Sequence, residues 1–189
     1  MTMSARIDDD CRSMTRYFQR LFELLRDTTV EEQVAPIEAE DMAALESQKT
    51  YHPISHLIKP AMLMNIYGLV DFWLKEICKY QRQKNELSLG YSDIKGNDDL
   101  HAYHKYLTKY ASLNLTAADV SYERLQDLRV VRNQLIHHGG HVRDDDRLIK
   151  RISKINGISL PGSLMVIDDS FVWDMSECAK VYLCTAAQA

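Results

Sequence analysis

Apolar residues recur every three to four positions along most of this chain, whereas strict alternation of apolar and polar residues is nearly absent. That spacing predicts helices and little sheet. Seven glycines and four prolines in 189 residues leave few breaks, so the expected class is an all-α antiparallel helical bundle. A first helix is predicted from about Ala5 to Arg26, with Met14, Phe18, Leu21, Phe22 and Leu25 on one stripe. Thr28 and Thr29, each followed three residues later by Glu31 or Glu32, offer a capping box for a second, more polar helix. It would run to about Lys49, with Pro36 able to split it. From His56 to about Gln83 two faces are apolar: Met62, Ile66, Leu69, Trp73 and Ile77 on one, Leu63, Val70 and Leu74 on the other. A helix apolar on more than one side belongs at the centre of a core or at a subunit interface.

Leu89 to Asn97, with Gly90 and Gly96, reads as a loop, and Asp98 to about Ser112 as a helix whose tyrosines go to the core. Thr116 and Asp119 make a capping-box-like start for a helix from Asp119 to His138. Leu115 and Val120 are spaced as its hydrophobic staple, and Gly139 and Gly140 stop it. Beyond it, Asp144 to Ile155 is predicted helical, Gly157 to Ile167 a short β-hairpin around Pro161 and Gly162, and Trp173 to about Thr185 a last helix. The expected organisation is one domain, with a core over about 1–155 and a small C-terminal hairpin-plus-helix appendage over about 156–189.

Composition changes this picture little. With 46% apolar and 26% charged residues the chain resembles ordinary globular proteins, which excludes wholesale disorder and fibrous architecture. A net charge of −4 argues against coating long nucleic acid with a broad basic surface, but leaves room for a local cationic pocket. Cys11, Cys78, Cys178 and Cys184 form no CxxC pair and follow no apolar export segment, which predicts a reduced, cytoplasmic protein. The most apolar stretch, Ala61 to Cys78, contains Asn65, Asp71, Lys75 and Glu76, charges that a bilayer would penalise, so a core helix and no membrane is expected.

The candidate chemistry lies on the helix Asp119 to His138. At about 100° per residue, Leu125, Leu128, Val131 and Leu135 form its buried stripe, and Arg129, Asn133 and His137 line one ridge beside it. Arg132 points between Leu128 and Leu135, where an unpaired guanidinium is costly. Either an internal carboxylate compensates that charge, or an anion in a cleft or at a subunit interface does. His137 stands in the last turn, at the negative end of the helix dipole, and a histidine there can pass protons both ways. Cleaving RNA needs a base for the ribose 2′-hydroxyl, an acid for the leaving oxygen and a cation for the phosphorus oxygens, and arginine supplies that cation without a metal. His138 points nearly 180° from Arg129 at about 100° per residue, and His141 could bend back past the glycines.

Other chemistries fit less well. His52 and His56, His101 and His104, and His137 and His141 are spaced as ligand pairs, but Pro53 disturbs the first and the glycines interrupt the third. No carboxylate or cysteine completes a set, so no metal and no cofactor are expected. Cys78 and Cys178 lie on apolar stretches where thiols are inert. The run Asp144 to Asp146 reads as a helix cap rather than a cation site.

The segment Arg132-Asn133-Gln134-Leu135-Ile136-His137, within LRVVRNQLIHHGG, resembles the R-x4-6-H signature of HEPN domains in its form with Asn after the Arg. The order of a long apolar helix and a late, glycine-ended motif helix is similar too, over roughly residues 1–155. The resemblance implies that Arg132 steadies the phosphate transition state, Asn133 positions it and His137 handles the proton, with Arg129, His138 and His141 as flanking substrate contacts. It implies a homodimer in which two copies of the motif share one cleft, and 2′-hydroxyl attack that leaves a cyclic phosphate. Members of that family act as toxins, in phage defence and in RNA processing, with an antitoxin or nucleotidyltransferase-like partner in some cases. Others are inactive modules for dimerisation or for binding nucleotides or RNA.

Overall fold

The computed structural model describes the backbone of residues 1–34, 42–94, 98–142 and 145–189, and the side chains of these except for 25–56. Helix α1 spans Met3–Val34, and Ile7, Cys11 and Phe18 on its apolar stripe are fully buried. It runs straight through Thr28 and Thr29, so the capping box expected there starts no helix. A threonine caps only where the chain leaves helical geometry. Pro36, the expected weak point of the second helix, lies outside the described residues. Helix α2 spans Met42–Lys84 and absorbs the end of that second helix together with the whole apolar one. Its stretch Leu57–Lys84 has the length and apolar character of a membrane span, and it buries Met62, Leu63, Ile66, Val70, Trp73, Leu74, Ile77 and Cys78 against the other helices.

Asp98 accepts from the His101 amide at 2.8 Å and caps α3, Asp99–Lys105. The chain then widens into a π-helical turn over Tyr106–Tyr110, with Tyr103 and Tyr106 buried as expected of core tyrosines and Tyr110 exposed against that expectation. Helix α4, Asp119–His138, is entered through a 3-10 turn, Thr116–Ala118. Thr116 does not cap it: its hydroxyl bonds to Asn114 Oδ1 at 2.5 Å. The staple fails as well, because Leu115 is buried while Val120 is 75% exposed. The extra turn rotates Val120 away from its intended partner.

Helix α5, Asp146–Ile152, is capped by Asp145, whose carboxylate accepts from the Arg147 and Leu148 amides. A two-residue-per-strand hairpin follows, β1 (Ile158–Ser159) antiparallel to β2 (Val166–Ile167), with Ile158 opposite Ile167. Helix α6 spans Asp169–Gln188 and begins a turn earlier than the apolar spacing suggests.

The molecule is a predominantly helical bundle with this one small hairpin among the described residues. Its C-terminal segment is no appendage. α6 packs on α1, α2 and α4 at once, and Phe171, Val172, Met175, Ala179, Tyr182, Leu183 and Ala186 are buried. Seven buried side chains, of which the larger ones each stabilise by roughly 1.5–3 kcal/mol when removed from water, make it the central helix rather than an addition to a core ending near 155. Arg124 clamps α4 to it through Asp174 at 2.5 Å while lying 5.5 Å over the Phe171 ring.

Candidate functional site

Helix α4 is held rigidly from behind. Leu125, Leu128 and Val131 are buried as its spacing predicts, Leu135 packs partly, and Val130 and Gln134 add a second buried line. Gly139 ends it at φ 59°, a left-handed conformation that a side chain would strain, and the Gly139 and Gly140 amides both bond the Gln134 carbonyl. The residues flanking Arg132 therefore sit on a fixed ridge.

Arg132 is half-buried, with its guanidinium carbon 5.2 Å from the centre of the Tyr67 ring of α2. Its Nη1 donates to Asn133 Oδ1 at 3.0 Å. Among the described residues no carboxylate pairs with it. An aromatic face attracts a cation by about 0.5–1 kcal/mol at such a site but does not neutralise it. An arginine has several N–H donors, and Arg132 uses one of them here, so the guanidinium is fixed in place with capacity left for an anion. Burial raises the Tyr67 hydroxyl above its ordinary range, with the Arg132 and Arg129 charges opposing, so Tyr67 remains a neutral platform at neutral pH.

Asn133 is half-buried and held by that bond, and His137, farther along the same ridge, is exposed. Arg129 stands differently from the expectation. Its Nη2 is 3.3 Å from the Asp98 carboxylate, and its Nε donates to Gln126 Oε1 at 3.0 Å. The side chains of this pair are only 21% and 13% exposed, so Arg129 is committed to bracing α4 against the start of α3 rather than to substrate. Asp127, the nearer acid in sequence, pairs with Arg124 instead at 3.0 Å.

His138 does not join the ridge. It is half-buried, and its Nδ1 is buried with no hydrogen-bond partner among the described residues, as is Gln134 Oε1 one turn before it. Its ring meets that of His137 edge-on at 6.4 Å. His141 is exposed, tied through its backbone to Leu164 and lying 3.4 Å from Ser163 Oγ, so the hairpin rather than α4 carries it.

The His101 and His104 pair goes to tyrosines rather than to a shared ion. His101 Nδ1 lies 3.3 Å from Tyr122 Oη, while His104 stacks on the Tyr122 ring at 3.9 Å and reaches Tyr182 Oη at 2.8 Å. Burial pushes His104 below its ordinary 6.5, with Asp119 opposing. Tyr122 in turn accepts from Gln126 at 2.9 Å, which links this aromatic cluster to the Arg129 brace. Among the described residues no three His, Cys, Asp or Glu side chains gather as a metal set. Burial raises the Cys11 and Cys78 thiols to about 12, which removes them as nucleophiles at neutral pH. The pair His52 and His56 lies where side chains are not described.

Two participants have no local signal in the sequence. Tyr67 is one tyrosine among the apolar residues of α2, and Asp98 precedes a helix thirty-one residues from Arg129. Only the packing of α2 and α3 against α4 brings them to the ridge. Chemically, the ridge offers a positioned cation, an amide beside it and an exposed imidazole, a set able to bind an anion and exchange a proton. Compared with models of protein families, with characterised proteins and with solved structures, the chain matches none of them.

Proposed function

We propose that this protein is a metal-independent endoribonuclease of HEPN type, in which Arg132, Asn133 and His137 form half of a site completed by a second copy of the chain. The observation that carries the reading is the half-buried Arg132 guanidinium, laid on Tyr67, bonded to Asn133 and paired with no carboxylate among the described residues. A structural arginine in that position would be met by an acid, as Arg124 and Arg129 are.

In the proposed reaction one imidazole takes the proton of the ribose 2′-hydroxyl, and the 2′-oxygen attacks phosphorus. The bond to the 5′-oxygen breaks, and a second imidazole protonates that oxygen, leaving a cyclic phosphate and a 5′-hydroxyl. The guanidinium stabilises the phosphorus oxygens as their charge grows. One protomer offers a single exposed ridge histidine, which is why the reading needs a homodimer. The apolar residues left outside support such an interface: Leu57 and Phe72 on α2 are 67% and 54% exposed, and Ile136, next to His137, is 48% exposed.

The test is cleavage of mixed single-stranded and structured RNA by purified protein in EDTA, with end analysis for cyclic phosphate. His137→Ala should abolish cleavage while helicity and oligomeric state persist. A folded protein that cleaves no RNA pool makes the chain a non-catalytic dimerisation or binding module instead. Where cleavage is observed, an antitoxin or nucleotidyltransferase-like partner is sought by its inhibition of that cleavage.

A further inference from the structure

Away from the Arg132 ridge lies a cleft of about 460 Å³ lined by Asp127, Arg147, Lys150, Arg151, Lys154 and Ile155. Its chemistry is concentrated in a short stretch: no Asp or Glu occurs between Asp146 and Asp168, although the whole chain carries a net charge of −4. Steps of three and four residues put Arg147, Lys150 and Arg151 of α5, and Lys154 just after it, on one side. Ile152 is buried on the other at 0% exposure, and Ile155, at 4%, anchors the floor of the cleft, which fixes the basic side outward. All four cations are exposed, and none is paired with a carboxylate among the described residues. The one acid in the wall, Asp127, is already bound to Arg124 at 3.0 Å and so does little to offset them.

Asp127 lies about 140° round α4 from Arg132 at 100° per residue, so this cleft is not part of the site described above. We propose that it is a second docking surface, which holds the phosphate backbone of a single-stranded RNA outside the reacting nucleotides. This rests on the reading of the protein as one that acts on RNA. Clustered cations with no hydrogen-bonding frame for bases suit a contact that is independent of sequence and sensitive to salt. Because the whole chain carries −4 with these cations counted in, the surface outside the cleft is more acidic still and would confine RNA to this face and to the Arg132 ridge.

The measurement is fluorescence anisotropy of a labelled 2′-O-methyl RNA of about 20 nucleotides, whose blocked 2′-oxygen prevents cleavage and separates binding from turnover. The double variant Lys150→Glu with Arg151→Glu should bind about tenfold or more weakly near 0.1 M salt, and the slope of log affinity on log salt should lessen by about 1.4 for two lost contacts. Circular dichroism checks that the fold persists, which is expected because both side chains are exposed. Unchanged affinity in the double variant overturns the assignment. So does wild-type protein that fails to bind the oligonucleotide at low salt, or polyglutamate that competes as well as RNA of equal charge. Cleft-dependent binding without cleavage of any RNA would leave this inference standing and sink the nuclease reading, whereas cleavage indifferent to the double variant would do the reverse.

Discussion

Replacing Arg132 by alanine separates a catalytic from a structural guanidinium, because the two roles predict different magnitudes. The side chain is half-buried, stacks on Tyr67 and donates one hydrogen bond to Asn133. Losing an exposed cation–π contact costs about 0.5–1 kcal/mol and losing a net hydrogen bond about 0.5–1.5 kcal/mol. Among the described residues no carboxylate is stranded by the change, so the cost of about 3–5 kcal/mol for breaking a buried pair does not arise. The total, about 1–2.5 kcal/mol, corresponds to a fall in Tm of roughly 2–10 °C for a chain of this size. Removing one preorganised donor from a developing oxyanion lowers kcat by about a hundred- to a thousandfold. Single-turnover cleavage of a fluorogenic RNA, beside a thermal melt of the same sample, reads both quantities. A variant that melts far lower, or one that melts normally and cleaves at the wild-type rate, would refute the argument from the unpaired charge.

Two further outcomes test the fold around the site. Gly157 has φ 82°, and an added Cβ would stand 2.8 Å from Phe171 Cβ and 3.2 Å from its backbone nitrogen, which cannot give way. Gly157→Ala should therefore cost about 2–4 kcal/mol in denaturant unfolding, and a loss below 1 kcal/mol would contradict that packing. Because burial holds His104 below its ordinary 6.5, the unfolded chain binds its proton more readily, and stability should fall as pH drops through about 6.5. Urea titrations at pH 7.5 and 5.5 should show that loss in the wild type and a shallower one in His104→Gln.

Much of the architecture could be read from periodicity, since Leu125, Leu128 and Val131 are buried on one side of α4 and, of the expected α1 stripe, Phe18 is fully buried with Met14, Leu21 and Phe22 packed partly beside it, while Ile7 and Cys11 extend that stripe beyond what was expected. The hairpin was equally readable, because Gly157, Pro161 and Gly162 mark the turn directly. Terminal signals were less reliable. Thr28 and Thr29 carry the chemistry of a cap, yet the helix continues past them, and Thr116 spends its hydroxyl on Asn114. Such short motifs describe what a side chain can do, and long-range packing decides whether it does so. The same limit applies to the ridge. Spacing alone placed Arg129, Asn133 and His137 in a row, but whether a guanidinium is free depends on acids distant in sequence, and among the described residues Asp98 claims Arg129 while none claims Arg132. Nor does α4's own sequence show that α6 will lie against it, which is why the last helix reads from the sequence as part of an appendage.

The position of α6 governs how the chain can reach its native state. Because its partners include α1, Met3–Val34, the bundle closes only when segments more than a hundred residues apart meet. Bringing distant segments together costs chain entropy before any contact rewards it, so folding should be cooperative and comparatively slow for a helical protein. A nascent chain in which α6 is still inside the ribosome would show solvent the apolar sides of α1, α2 and α4 together, a surface that invites chaperones or aggregation until that helix emerges.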